Sequence, residues 1–220
     1  MIPIVPAIIP KSAAEILELL PRLRFAPEIH VDVVDGQFVP YTSWPYSPVG
    51  VPTEVRSETD KFTLEVDLMV ADPLLAADTW LQAGADMLVF HTEHITPEVL
   101  NRFAESTKIS IGIAVVNDTP LEVLETYLEA VDYVQLMGIA KVGAQGQPFD
   151  ERILARITEL KKRYPNLTIS IDGSVNQKTI ARLAQAGADR FICGSAIVGA
   201  SNPHTAYLEL QTLVSEFKVA

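Results

Sequence analysis

The sequence alternates short apolar runs with amphipathic segments, and this alternation restricts the fold more than any other feature. Eight runs rich in Val, Ile and Leu have the length of strands, and a segment of helical character follows each one. Eight such units in 220 residues are typical of a closed (β/α)8 barrel, the TIM barrel, rather than of an open sheet. We therefore predict an α/β fold in which residues 1–220 form a single barrel domain.

Charge and composition exclude several classes of protein. The chain has 17 basic and 28 acidic residues and a net charge of −11, and it lacks the basic clusters that nucleic acid binding needs. Cys193 stands alone, so no intrachain disulfide is possible. No apolar run approaches the roughly 18 residues of a spanning helix, and the amino terminus lacks the basic flank of a signal peptide. We expect a cytoplasmic protein that binds neither nucleic acid nor membranes.

Three predicted strands carry acidic side chains inside apolar runs. His30 and Asp32 lie two residues apart in the second strand and project to the same face, while Asp67 lies in the third and Asp172 in the seventh. A lone His in a strand and an Asp-Gly turn are common without any function. Buried charges, however, are costly unless paired or metal-bound, so their recurrence favours a functional site at the carboxyl ends of the strands.

The barrel predicts how these carboxylates meet. The second and seventh strands are three steps apart around a ring of eight, so Asp32 and Asp172 can face each other across the mouth. One carboxylate can remove a proton from one face of a carbon acid while the other returns a proton to the opposite face. This is what epimerisation next to a carbonyl requires.

Glycine-containing turns follow the last three predicted strands. Gly146 follows the sixth, Gly173-Ser174 the seventh and Gly194-Ser195 the eighth. The loops after strands seven and eight are the recurrent phosphate site of this fold, where free backbone N–H groups bind the anion. Each turn alone is weak evidence, because a tight turn needs Gly anyway. Together they favour a phosphorylated ligand.

With these motifs the chain resembles the ribulose-phosphate 3-epimerase family over nearly its whole length. The order and spacing of the matching pieces make the resemblance specific at the level of the superfamily. The pieces are residues 30–40, 67–70 with Pro73, 83–86 with His91 and Glu93, Met137, 146–147, 171–175, 186–189 and 194–197.

The resemblance implies epimerisation of a phosphorylated ketose, D-ribulose 5-phosphate or D-xylulose 5-phosphate, at C3. It implies a divalent metal ion that binds the ketose oxygens and stabilises the enediolate. His30, Asp32 and Asp172 match three of the family's metal ligands, and the two aspartates match its acid/base pair. It further implies a homo-oligomer. Met69 and Met137 match methionines that line the family's pocket, although packing in the core would explain them equally well.

Departures from the family pattern accompany these matches. Asp67 stands where the family has a metal-binding His, so the predicted ligand set is one imidazole and three carboxylates. This set suits Mn²⁺, Mg²⁺ or Fe²⁺ better than Zn²⁺. Lys141, in a loop unlike the family's, either contacts phosphate or is a solvated surface residue. His91 either extends the pocket or has a structural role.

Two alternatives to a metal-dependent epimerase deserve comparison. The first is a barrel that keeps the phosphate-binding turns but has lost the metal, and binds a sugar phosphate without epimerising it. The second is a decarboxylase of the orotidine-phosphate type, which uses Asp-x-Lys-x-x-Asp at the third strand. Residues 67–72 fit that spacing, but Met69 occupies the Lys position. Decarboxylation is disfavoured because no ammonium is present to protonate the carbanion.

Overall fold

The computed structural model describes residues 1–140 and 146–217, and it contains a closed barrel of eight parallel strands in sequence order. Each strand pairs with the next, and the eighth pairs with the first. The predicted (β/α)8 fold is therefore confirmed. The strands are β1 (Ile4–Ile8), β2 (Glu28–Val34), β3 (Thr63–Met69), β4 (Met87–His91), β5 (Ser110–Val115), β6 (Tyr133–Met137), β7 (Thr168–Asp172) and β8 (Arg190–Cys193).

Helices follow the strands on the outside of the barrel. The helix after β5 has only four residues, so this part of the chain forms less helix than its pattern predicts. Within the described ranges, none of the helices combines the length and apolarity needed to cross a bilayer. The helices are α1 (Ala13–Leu19), α2 (Arg56–Thr59), α3 (Pro73–Gln82), α4 (Pro97–Ser106), α5 (Glu122–Glu125), α6 (Arg152–Arg163), α7 (Ile180–Ala186) and α8 (Pro203–Val214).

Local sequence signals set the ends of α3. The side chain of Asp72 accepts a hydrogen bond from the backbone N–H of Leu75, and Pro73 occupies the first turn, where its missing N–H has no cost. Gly84 follows the last turn with a φ of 91°, a conformation that disfavours other residues. The helix therefore begins and ends where the sequence predicts.

Side chains along each strand alternate between an apolar outer layer and the barrel interior. In β3, Leu64, Val66 and Leu68 belong to the large buried cluster between strands and helices. Glu65 and Asp67 point inward, because their contacts are with residues of β2, β4, β6 and β8. The two-residue period of the strand thus separates a packing face from a polar face.

The barrel interior is largely polar, with two small apolar clusters, Val5 with Ala7 and Ile192, and Val89 with Ala114 and Tyr133. Barrels of this type are usually filled by layers of branched aliphatic side chains. Here the buried polar residues on the strands include His30, Asp32, Glu65, Asp67, His91, Gln135, Ser170 and Arg190. The apolar core consequently lies between the strands and the helices.

The long segment after β2 is anchored to the carboxyl ends of β1 and β2. The backbone N–H of Ser43 donates to the carbonyl of Val34, and that of Trp44 donates to the carbonyl of Pro10. The indole of Trp44 is buried and meets Trp80 of α3 edge-on, with ring centroids 6.0 Å apart. These contacts hold the end of β2, and so the strand that carries His30 and Asp32.

Candidate active site

A cavity of about 320 Å³ opens at the carboxyl ends of the strands. Asp32 lines it from β2 and Asp172 lines it from β7. The rest of its wall includes the turns after β6, β7 and β8, so acidic groups and backbone-rich turns share one space. The lining residues include Gly146, Gly173, Ser174, Gly194 and Ser195.

Four side chains from three strands converge beside this cavity. His30, Asp32, Asp67 and Asp172 each present one ligand atom, and these four atoms lie within 4.8 Å of one another. Nε2 of His30 is 3.2 Å from Oδ1 of Asp32 and 3.7 Å from Oδ2 of Asp67. Asp32 and Asp67 are direct partners in the register of β2 and β3, which explains why their carboxylates meet.

A hydrogen bond to Glu65, on the side of the ring away from the aspartates, orients the imidazole of His30. The two residues are partners in the β2–β3 register, and Nδ1 of His30 donates to Oε2 of Glu65. This contact leaves Nε2 facing the three aspartates. Burial opposes a positive charge on His30, but the carboxylates of Glu65 and Asp32 outweigh it and hold the pKa of the imidazole well above its usual value.

Glu65 is held in turn by Arg190. Nη1 of Arg190 lies 2.9 Å from both carboxylate oxygens of Glu65, and the hydroxyl of Tyr133 donates to Oε1. Burial alone would raise the pKa of Glu65, but the charges of Arg190 and His30 outweigh it and lower this pKa to about 2. Glu65 is therefore ionised, as a fixed acceptor for His30 must be.

The aspartates of the cluster are electrostatically crowded. Burial raises the pKa of Asp32 and of Asp172, and the charge of Asp32 raises the pKa of Asp172 further. A divalent cation relieves this crowding. Ligands about 2.1 Å from a cation lie about 3 Å from their nearest neighbours, and the 3.2 Å between Nε2 of His30 and Oδ1 of Asp32 is close to this spacing. One imidazole and three carboxylates are also a donor set that such cations accept.

The carboxylate of Asp67 accepts hydrogen bonds from two other strands, from His91 on β4 and from Gln135 on β6. Nε2 of His91 lies 2.6 Å from Oδ1, and Nε2 of Gln135 lies 2.7 Å from Oδ2. A carboxylate oxygen accepts, so the imidazole and the amide are the donors.

The turns after β6 and β7 contact each other at the same carboxyl-terminal end of the barrel. Gly173 and Ser174 have φ values of 93° and 54°, and the hydroxyl of Ser174 donates to the carbonyl of Gln147. A Cβ on Gly138 would lie 2.1 Å from the carbonyl oxygen of Gly173, so only glycine allows these two turns to touch.

Residues 4–198 match the family described as the ribulose-phosphate 3 epimerase family. This chain belongs to that family. The ribulose-phosphate 3-epimerase of Schizosaccharomyces pombe is 33% identical over 182 residues, which cover 80% of this chain and 76% of that protein. That of Bacillus subtilis is 33% identical over 193 residues, covering 83% and 85%. That of Mycobacterium bovis is 30% identical over 215 residues, covering 94% and 91%.

Solved structures with other activities share the fold of this epimerase-family chain. A crystal structure of 3-hexulose-6-phosphate synthase has a TM-score of 0.73 at 20% identity, covering 97% of this chain and 99% of that one. The 3-keto-L-gulonate-6-phosphate decarboxylase of Vibrio cholerae has a TM-score of 0.73 at 15% identity, covering 99% and 100%. At these identities the likeness shows the barrel and nothing about the reaction.

Not every residue singled out in the sequence lies in the cavity wall. Met69 and Met137 are buried at the ends of β3 and β6 and are not among the lining residues. His91 lies beside Asp67 rather than at the opening. Lys141 lies outside the described residues.

Sequence reasoning missed Glu65 and Gln135. Both are polar residues within otherwise apolar strands, the same signal that identified Asp67. Their partners lie on distant strands, so the signal marks them as buried polar groups without saying what they contact.

Proposed function

We propose that this chain epimerises a phosphorylated ketose at C3, interconverting D-ribulose 5-phosphate and D-xylulose 5-phosphate. Membership of the ribulose-phosphate 3-epimerase family supports the reaction. The observation that carries the proposal is that Asp32 and Asp172 line one cavity from strands on different sides of the barrel.

The two aspartates divide the proton transfer between them. The ionised member of the pair removes the C3 proton from one face of the ketose, which leaves an enediolate. The protonated member then delivers a proton to the opposite face, and the configuration at C3 inverts. In the cluster without an ion, burial raises the pKa of both aspartates and the charge of Asp32 raises that of Asp172 further, which favours one protonated and one ionised carboxyl. The return reaction exchanges their roles.

His30, Asp32, Asp67 and Asp172 would hold a divalent ion. When bound, such an ion polarises the ketose oxygens and stabilises developing negative charge. Three oxygen donors and one nitrogen favour Mn²⁺, Fe²⁺ or Mg²⁺ over Zn²⁺. Glu65 contributes by keeping Nδ1 of His30 protonated, so that Nε2 is the nitrogen offered to the ion.

The turns containing Gly146, Gly173-Ser174 and Gly194-Ser195 would bind the phosphate. They line the same cavity as the aspartates, so a short sugar chain spans both. The cavity wall as described contains no Lys or Arg, so backbone N–H groups supply the positive potential. Met69 and Met137 would pack beneath the ligand rather than contact it.

A second candidate is a barrel that binds a sugar phosphate without metal and without epimerising it. Asp67 favours this candidate, because it stands where the family resemblance places a histidine ligand. The phosphate-binding turns would serve either function.

Solvent exchange at C3 tests the proposal. Ribulose 5-phosphate is incubated with the protein in D₂O, and ¹H NMR follows loss of the C3 proton and formation of xylulose 5-phosphate. We expect exchange that chelation suppresses and that Asp172→Asn abolishes. Asp78→Asn, the same change at an exposed site on α3, is the control and should retain full exchange. Tight phosphate-ester binding without exchange would support the second candidate.

The proposal also covers the folding unit, the cellular location and the oligomeric state. We expect residues 1–220 to act as one folding unit, located in the cytoplasm. We also expect a homo-oligomer, a state consistent with the exposed apolar side chains Val49, Val51 and Leu75. Light scattering coupled to size-exclusion chromatography measures the oligomeric state.

A further inference from the structure

The carboxylate of Asp67 is fixed from two strands. His91 on β4 donates to Oδ1 over 2.6 Å, and Gln135 on β6 donates to Oδ2 over 2.7 Å. All three side chains are buried. Donors at both oxygens restrict rotation about both side-chain torsions of an aspartate, so the plane of the carboxylate is held.

The imidazole of His91 is itself held by an aromatic contact. The ring of Phe38 meets it edge-on, with centroids 4.8 Å apart and an interplanar angle of 61°. Phe38 comes from the turn after β2, the strand that carries His30 and Asp32. Elements on both sides of Asp67 therefore contribute to its orientation.

Packing alone does not explain polar residues at these positions. Nδ1 of His91 and Oε1 of Gln135 are buried, and neither has a hydrogen-bond partner among the residues that the structure describes. A buried polar atom without a partner destabilises the fold, and an apolar side chain would fill the space without that cost. The feature that both side chains share is the hydrogen bond to Asp67.

We propose that His91 and Gln135 are positioning residues that fix Asp67 as a metal ligand acting through one oxygen. This inference rests on the metal site of the proposed function. Each oxygen of Asp67 already accepts one hydrogen bond, which leaves one free lone pair on each. Oδ2, the oxygen 3.7 Å from Nε2 of His30, is the one that reaches the ion.

A carboxylate ligand needs such positioning more than an imidazole does. An imidazole presents one nitrogen on a rigid ring, whereas an aspartate offers two oxygens that rotate freely and adds a negative charge. Donors on both oxygens restore a single orientation.

Metal affinity tests the inference directly. Apo protein is titrated with Mn²⁺ by calorimetry, and the visible spectrum of the Co²⁺ form reports the ligand geometry. Gln135→Leu removes one donor together with the unpartnered oxygen. We expect its Kd for Mn²⁺ to rise about 10–100-fold with an altered Co²⁺ spectrum. Its apo form loses an unpartnered oxygen but leaves Oδ2 of Asp67 without its donor, so we expect a folded protein with a urea midpoint at or somewhat below that of the wild type.

Two further variants control for disturbance of the barrel interior. His91→Gln keeps an N–H donor and should bind Mn²⁺ more tightly than His91→Leu. Ser170→Ala removes a buried hydroxyl of β7 that does not contact Asp67, and it should retain the wild-type Kd.

The outcomes separate this inference from the proposed function. Wild-type Kd values and Co²⁺ spectra in Gln135→Leu and His91→Leu would overturn it, while leaving epimerisation intact. A wild-type protein that binds neither Mn²⁺ nor Co²⁺ would also overturn it. Weakened binding in the variants, together with no exchange at C3 in the wild type, would support the positioning role and contradict the epimerase.

Discussion

Arg190 reaches across the barrel interior to Glu65, with Nη1 2.9 Å from both carboxylate oxygens. The two residues come from β8 and β3, which are not neighbouring strands. The ion pair therefore crosses the barrel interior instead of joining neighbouring strands. Through Glu65, which accepts from Nδ1 of His30, it also helps to hold the imidazole of His30.

Loss of Arg190 should destabilise the protein strongly. Arg190→Met leaves Glu65 as a buried charge without its main partner, and we expect the free energy of unfolding to fall by about 3–5 kcal/mol. Urea denaturation followed by circular dichroism measures the change. Arg182→Met, which removes an ion pair with Glu151 on the exterior, is the matched control and should change the free energy of unfolding far less, because solvent screens an exposed pair. Equal effects of the two variants would refute the structural importance of the buried pair.

Asp35 should contribute pH-dependent stability. Its carboxylate accepts hydrogen bonds from the backbone N–H groups of Gln37, Phe38 and Ala71. Burial opposes the charge, but these donors outweigh it and lower the pKa of Asp35 below its usual value. A lowered folded-state pKa stabilises the fold above the unfolded-state pKa of about 3.9, and this stabilisation is lost as the pH falls through the folded-state value.

The variant Asp35→Ala tests this contribution. We expect it to be less stable than the wild type at pH 7, by no more than about 1 kcal/mol because solvent screens this partly exposed carboxylate, with the difference narrowing below about pH 4. Urea unfolding at several pH values provides the measurement, and Asp78→Ala on the exposed face of α3 provides the control. A difference that does not change with pH would show that the carboxylate charge is not responsible.

Divalent ions should stabilise the folded protein. Binding to the native state alone adds about 2.7 kcal/mol when the free ion is at 100 times its Kd. We expect the Tm to fall on chelation and to recover when Mn²⁺ is added back. Differential scanning fluorimetry with matched ionic strength measures this shift. An unchanged Tm, with Mn²⁺ at millimolar concentration, would argue against the cluster as a metal site.

Gly138→Ala should impair phosphate binding. Its Cβ would clash with the carbonyl of Gly173, so the turn after β7 must move. We expect a higher KM for ribulose 5-phosphate, with a smaller change in kcat. Gly187→Ala serves as the control, because it strains a helix end with a φ of 111° away from the cavity. That control should lower the Tm and leave KM unchanged.

The sequence predicts the fold and the convergence of the four metal-ligand candidates, because both depend on the two-residue repeat of strands and the 3.6-residue repeat of helices. Alternation along β2 places His30 and Asp32 on one face, and the closed barrel brings Asp67 and Asp172 to the same end. The roles of these residues remain predictions until the experiments above are done.

Contacts between distant strands were beyond sequence reasoning. Glu65 meets Arg190 across 125 residues of chain, and Gln135 meets Asp67 across 68. Such pairs depend on the relative stagger of the strands, which an isolated apolar run does not encode. For the same reason the sequence alone does not distinguish a pocket role from a structural role for His91 at the end of β4.

The separation of an apolar outer layer from a polar interior has a consequence for evolution on this frame. The apolar layer between strands and helices supplies most of the buried packing of the fold. Several inward-facing side chains can therefore be substituted together without loss of the barrel. A synthase and a decarboxylase with the same fold, each at a TM-score of 0.73, show that one barrel architecture accommodates different reactions.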